Sequence, residues 1–348
     1  MTQHYFLGAN SKAGFSSLYE GFPWDPDSYL HVIKGGPGTG KSSFMRKLGA
    51  EAEKREMDVH YVLCSGDPNS LDGVYIPALH TAWVDGTAPH VCEPSIFGVN
   101  GDYLNLGAYC TKPFSGEDHA YLGMLTRQYK EHYRLAYAAL GSLGHLQEEG
   151  SAPLSDGETA AARQQIGRIL DRFLPRESRQ EGRSVRRFLH AISCQGELWL
   201  TDEIKAAGRQ ICVIRGDLPE AAGILAYAAG EARRRGAFCV CCPSPLAPAL
   251  LEAVLLPEEG LAFAAGNWKL DAHLLLDLDS FRSAEGRQDA MTRWVKREEL
   301  SAPMLSAALE ELRRAKALHD QLEGVYKTHM DFEALSSFTQ KLLEQLFS

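Results

Sequence analysis

The stretch HVIKGGPGTGKSSFMRKL at residues 31–48 constrains this chain more than any other. Four glycines crowd between Gly35 and Gly40, followed by Lys41 and Ser42, which satisfies G-x-x-x-x-G-K-[ST]. The apolar run Tyr29–Ile33 ahead of it predicts a strand. Behind it, Phe44, Met45, Leu48 and Ala52 share one face, which predicts a helix over Lys41–Arg55. A strand, a glycine-rich turn and a helix in this order belong to an α/β fold with a mostly parallel sheet.

Each residue type in the turn has a physical task. Glycines let the backbone curl so that successive N–H groups converge on phosphate oxygens without Cβ clashes. The expected cradle runs from Gly35 through Gly36, Pro37, Gly38, Thr39 and Gly40 to Lys41, Ser42 and Ser43. The start of the helix adds unsatisfied amides and the positive end of its dipole. Lys41 carries a compact cation on a long stem that reaches β- and γ-phosphates, and the Ser42 hydroxyl suits Mg²⁺. A Mg²⁺ site also needs an acid at the end of a neighbouring strand. Val59–Leu63 reads as a second strand and Thr81–Val84 as a third, which ends in Asp85. Asp85 is therefore the expected second metal ligand.

The chain also carries an outline of this stretch with its chemistry removed, ICVIRGDLPEAAGILAYA at 211–228. Setting Lys34-Gly35 on Arg215-Gly216 brings FLGANSKAGF at 6–15 close to FLHAISCQGE at 188–197. After a three-residue deletion, residues 62–90 run against 240–268. Gly40, Lys41 and Ser42 then fall on Ala221, Ala222 and Gly223, and Asp85 on Phe263. Cys64 falls on Cys242, and Thr87 on Ala265. Asp67, Asp72 and His90 stand opposite Pro245, Leu250 and Trp268, which nominates all three as polar residues of the first copy. Asp67 and Asp72 suit orienting water or a substrate, or else plain turn chemistry. His90 suits polarising a γ-phosphate, or else capping a loop. The expected organisation is a tandem duplication, with an active copy over 1–180 and a degenerate one over 181–348.

In KGGPGTGKSSFMRKLG, CSGDPNSLDGVYIPAL and WVDGTAPH, taken in order, the chain resembles the P-loop NTPases. It is most similar to an uncharacterised bacterial family of tandem P-loop proteins regarded as ATPases. The resemblance covers about the first ninety residues specifically and the second copy only in outline. It implies two three-layer α/β domains with mostly parallel sheets, each with additional C-terminal helices, and ATP with Mg²⁺ on Lys41, Ser42 and Asp85. In that family both halves usually carry a phosphate loop; here the second does not.

Three functions remain open: slow ATP hydrolysis, a nucleotide-gated module with an unknown protein partner, or a small-molecule kinase with Asp67 or Asp72 as base. Gly86 stands where many ATPases place a Glu, so turnover is expected to be slow. No N-K-x-D guanine signature occurs, which disfavours GTP. A net charge of -9 argues against bulk nucleic-acid binding. The sequence lacks a membrane-length apolar run and a secretion-like start, so the expected compartment is the cytoplasm. Cys239, Cys241 and Cys242 read as a buried strand rather than a zinc site. Long helices are expected over 117–147, 156–174, 303–322 and 331–347, and residues 91–115 read as turns. The arginine run from Arg172 to Arg187 reads as a solvated linker or, alternatively, a phosphate-closing finger. Arg233–Arg235 is expected at the exposed end of the second copy's helix.

Overall fold

Short apolar runs alternating with amphipathic helices build two mostly parallel six-stranded sheets. The computed structural model describes residues 2–89, 92–150, 153–176 and 178–348. The first part of the chain forms β1 (Thr2–Phe6), β2 (Gly8–Ser11), β3 (Gly14–Ser17), β4 (Tyr29–Lys34), α1 (Lys41–Lys54), β5 (Val59–Leu63), β6 (Leu71–Ile76), β7 (Thr81–Asp85) and β8 (Gly101–Asn105). Helices α2 (Gly116–Glu149) and α3 (Asp156–Leu170) follow. The second part forms β9 (Ser184–Arg186), β10 (His190–Ser193), β11 (Gly196–Trp199), α4 (Thr201–Ala207), β12 (Gln210–Arg215) and α5 (Leu218–Arg234). It finishes with β13 (Cys239–Pro243), β14 (Leu251–Leu256), β15 (Leu261–Ala265), β16 (Leu274–Asp277), α6 (Ala284–His329) and α7 (Phe332–Leu346).

The sheets run β1-β5-β6-β7-β4-β8 and β9-β13-β14-β15-β12-β16. In each, only the third strand is antiparallel to its neighbours. Both also carry a register irregularity at the same place, Val62/Leu63 in one and Cys242/Pro243 in the other.

Alternation along the strands divides the apolar residues into layers. Ile33, Val74 and Trp83 face Phe44, Met45 and Leu48 of α1 and Leu335 of α7. Ile214, Val254 and Phe263 face Ile224, Leu225 and Ala228 of α5 and Ile166 of α3. The opposite faces of both sheets join one cluster containing Val32, Val84, Val213 and Ala264. Where β1 and β9 lead into their hairpins, Phe6 and Phe188 exchange both backbone hydrogen bonds, each at 2.9 Å. Helices α2 and α6 pack antiparallel, Tyr121 meeting Gln321 and His132 meeting Glu311, with Ala136, Leu140, Ala308 and Leu312 buried between them.

Several expectations change. Strand β6 lies between the second and third expected strands and contains Asp72, so that residue is a buried strand position and not a turn. Strand β8 emerges from the stretch read as turns; as an edge strand with exposed alternate residues it has no continuous apolar run. Helix α6 begins well before Pro303 and continues through it. Helix α3 precedes residue 180 yet packs on the second sheet, while α7 packs on the first. Cys239, Cys241 and Cys242 lie in β13 as free thiols. Arg235 is buried rather than exposed, because it joins Glu231 and Asp171 at 2.8 Å each and so ties α5 to α3. Among the described residues, no helix is long and apolar enough to cross a membrane.

Candidate functional site

Strands β4, β5 and β7 are parallel, directly or through shared neighbours, so their C-terminal ends share one edge of the first sheet. This is the edge at which open α/β sheets bind ligands. The glycine loop follows β4, the Asp67 turn follows β5, and Asp85 closes β7.

The loop is built on glycine geometry at two positions, Gly38 with φ 71° and Gly40 with φ 89°. Thr39 is buried and donates from Oγ1 to the Gly36 carbonyl at 2.9 Å, which holds the curl. Gly40 caps α1 without a side-chain hydrogen bond, and the first turn has no acidic residue. The positive end of this helix therefore faces the loop uncompensated by the helix's own residues. The Lys41 ammonium turns back to donate to the Gly35 and Gly36 carbonyls, each at 2.8 Å, and lies 3.5 Å from Asp85 Oδ2. Asp85 Oδ1 accepts from the Thr87 amide at 2.8 Å and from the Thr87 hydroxyl. Ser42 Oγ accepts from the Leu71 amide at 2.9 Å, tying α1 to the start of β6. Ser43 is exposed, on the outer side of that first turn.

The sequence therefore locates Lys41, Ser42 and Asp85 on one edge, and the fold draws Lys41 and Asp85 together. Ser42 and Asp85 offer the hard oxygen donors that Mg²⁺ prefers, with the remaining positions left to water and phosphate, so the donor set fits that ion. Asp67 sits in the turn between β5 and β6. Its Oδ1 accepts from the Asn69 amide at 3.2 Å, and its Oδ2 lies 3.3 Å from Lys316 Nζ of α6. Arg46 of α1 donates to the Asn69 carbonyl at 2.7 Å and fixes the same turn to the loop helix. His90 lies outside the described residues. Gly86 is required by packing, since a Cβ there would lie 2.2 Å from Val32 Cγ1. A Glu at that position has no room.

Helix α6 is the part of the site that the sequence did not disclose. A Cβ on Gly38 would lie 2.8 Å from the Glu323 carbonyl oxygen, and one on Gly36 would lie 3.3 Å from the Tyr326 ring. The loop is thus covered by the C-terminal third of a helix that follows the second sheet. The readable signal was the step from Leu312 to Lys316, His319, Glu323 and Tyr326 at helical spacing. The arginine run is engaged elsewhere: Arg187 donates to Gln3 at 2.7 Å and lies over Tyr5, Arg186 donates to the Pro248 carbonyl at 2.6 Å, and Arg176 joins Asp171 at 3.0 Å.

Strand pairing also fixes how the two sheets correspond. Ile33 pairs with Asp85 where Ile214 pairs with Ala265, and Gly73 pairs with Val84 where Ala253 pairs with Ala264. The correspondence is therefore 181 residues over β4, as expected, and 180 over β6 and β7, not the 178 expected there. Asp85 stands opposite Ala265, Asp72 opposite Glu252, Asp67 opposite Ala247 and Cys64 opposite Ser244. Thr87 then stands opposite Asn267 rather than Ala265. Asp72 loses its contrast, because Glu252 is also a buried acid. Matching the helix ends, where Met57 and Ala237 donate to Ala52 and Ala232, places Lys41 on Ala221 and Ser42 on Ala222. Gly40 falls on Glu220. Beside the second sheet, α5 starts at Leu218, capped by the Asp217 side chain, with Glu220 in the first turn. Arg297 of α6 grips the Asp217 carboxylate through both its terminal nitrogens.

Comparison with family models, curated proteins and solved structures gave no match.

Proposed function

We propose that the chain is a tandem pair of P-loop NTPase-like units, divided near residue 180, and that it binds MgATP at the first loop only and hydrolyses it slowly. One contrast carries the reading. At the start of α1 the chain offers curled glycines and Lys41, with no side-chain cap and no acid in the helix's first turn. At the start of α5 the equivalent place is filled by the Asp217 carboxylate and its arginine. The first end is prepared for an anion from outside, and the second is already neutralised from within.

In this reading the loop amides and Lys41 hold the β- and γ-phosphates. Mg²⁺, held by Ser42 and Asp85, supplies charge neutralisation when bound. Thr87 keeps the Asp85 carboxylate oriented. A water oxygen forms a bond to the γ-phosphorus, while the bond to the β–γ bridging oxygen breaks and its electron pair stays on ADP. The water's proton passes by way of Asp67 to the released phosphate. No acid directly follows Asp85, so basal turnover is slow. A second reading, a nucleotide-gated binding module, is favoured by the seat of α6 on the loop, because nucleotide entry there would shift a helix that spans both halves.

The deciding experiment is calorimetric titration of the full chain with a non-hydrolysable ATP analogue and Mg²⁺, beside Lys41→Ala. One site per chain, lost in the variant, is the expected result. Two sites would overturn the silent second half, and no binding would overturn the reading. Phosphate release without an acceptor marks hydrolysis, and release only on adding a small-molecule acceptor marks a kinase.

A further inference from the structure

Helix α6 carries a row of polar residues beside its buried stripe where it crosses the loop. Upstream, Ala308 and Leu312 are buried against α2. Further along the same face, in steps of four and three, come Lys316, His319, Glu323 and Tyr326, and then the buried Met330. A helix face that packs into a core is ordinarily an apolar stripe; here that stripe continues through the buried Ala315 and Leu322, and the polar side chains run beside it. The polar row reaches the glycine loop, against which Glu323 and Tyr326 lie. Burial lowers the His319 pKa; Glu323 opposes the shift, and the charges of Lys316 and Lys41 reinforce it. His319 is therefore a neutral ring within reach of the Lys41 field.

Lys316 is the cation on this stripe. Its side chain is largely covered, and its ammonium is 3.3 Å from Asp67 and also joined to Asp320. Burial works against the charge, but the two carboxylates outweigh it and hold the Lys316 pKa above normal. The pair is partly covered, so salt screens it less than a fully exposed one. Asp67 is in turn fixed to the loop helix, since its turn is bonded to Ser42 and Arg46. The ammonium is thus held by a helix of the other half against the turn that is tied to the start of the loop helix.

We infer that Lys316 is a γ-phosphate-binding residue supplied by the second half, and that its ion pair with Asp67 is a latch. When the triphosphate is bound, Lys316 leaves Asp67 for the terminal phosphate, and the released Asp67 carboxylate orients the attacking water. One ion pair breaks and another forms, with no covalent change in that step. ADP lacks the terminal phosphate and leaves the latch closed. The inference rests on the reading that the first loop binds MgATP.

The test compares, on the full chain with Mg²⁺, the affinities for ADP and for a non-hydrolysable ATP analogue. The wild type is expected to prefer the analogue by about tenfold, the scale of one hydrogen bond to a charged group. Lys316→Ala brings the two affinities to within about threefold by weakening only the analogue, and Lys316→Arg restores most of the preference. Asp67→Asn moves the other way: analogue binding tightens several-fold because no latch has to open, while phosphate release slows. Nucleotide binding with an unchanged preference in Lys316→Ala, or weakened analogue binding in Asp67→Asn, overturns the latch and leaves the loop's ATP site standing. A wild type that binds neither nucleotide overturns both.

Discussion

Gly38 tests the seat of α6 on the loop directly. Replacing it with Ala has two separable costs. Its φ of 71° lies in the left-handed region, where a side chain costs about 1–2 kcal/mol. The new Cβ would also lie 2.8 Å from the Glu323 carbonyl oxygen and 3.1 Å from the Glu323 Cα. Those are backbone atoms of a helix, so relief requires moving α6, and such overpacking costs roughly 1–3 kcal/mol. The sum for Gly38→Ala is about 2–5 kcal/mol. Gly14→Ala isolates the first cost, because Gly14 has φ 98° and nothing within 4 Å of its missing Cβ. Urea unfolding followed by tryptophan fluorescence gives the two losses, and their difference is the contact with α6. Hydrogen exchange over residues 316–329 locates it: protection falls there in Gly38→Ala and is unchanged in Gly14→Ala. Equal losses in the two variants, with unchanged exchange in α6, would refute the argument that this helix rests on the loop.

Two further outcomes concern parts of the molecule away from the loop. Burial first, and then the Arg187 charge, push the His60 pKa down from 6.5 to about 3. The folded imidazole therefore stays neutral while that of the unfolded chain protonates, so stability is full above about pH 6.5 and declines as pH falls toward 3. By pH 5 the loss is about 2 kcal/mol, and His60→Gln should flatten this part of the stability–pH curve. Arg297→Ala removes the guanidinium from the largely covered Asp217 carboxylate and should cost about 3–5 kcal/mol on denaturation. Asp217→Asn in the same chain recovers part of that loss, and the nucleotide dissociation constant is unchanged throughout, since this pair sits at the other helix start.

The local features were legible because they depend on neighbours in sequence. The strand–loop–helix around Lys41 and the strand ending at Asp85 are fixed by glycine spacing, apolar runs and helical periodicity. Strand β6 was hidden because LDGVYI is interrupted by Asp72 and Gly73, and both are accommodated only once β5 and β7 flank them. The register of the echo was misjudged for a similar reason. Sequence matching rewarded Cys64 on Cys242, whereas hydrogen-bonded partners put Val62 opposite Cys242. The meeting of Asp67 with Lys316 spans 249 positions and is visible only in three dimensions. Helix α6 itself was half seen, because Pro303 suits a helix start and masked the turns before it.

The reciprocal hydrogen bonds between Phe6 and Phe188 are the contact a residue makes with its own image across a two-fold axis. On the proposed tandem reading, the chain behaves as a dimer whose subunits have been joined end to end. In a true homodimer, any substitution that empties one phosphate loop empties both, and any helix that closes a neighbour's loop is also closed upon. Joining the subunits removes that obligation. On that reading one half gives up its loop, its helix start being closed by Asp217 and Arg297, and keeps the helix that its neighbour uses. The asymmetry between Lys41 and Ala221 is a freedom that separate subunits encoded by one sequence do not have.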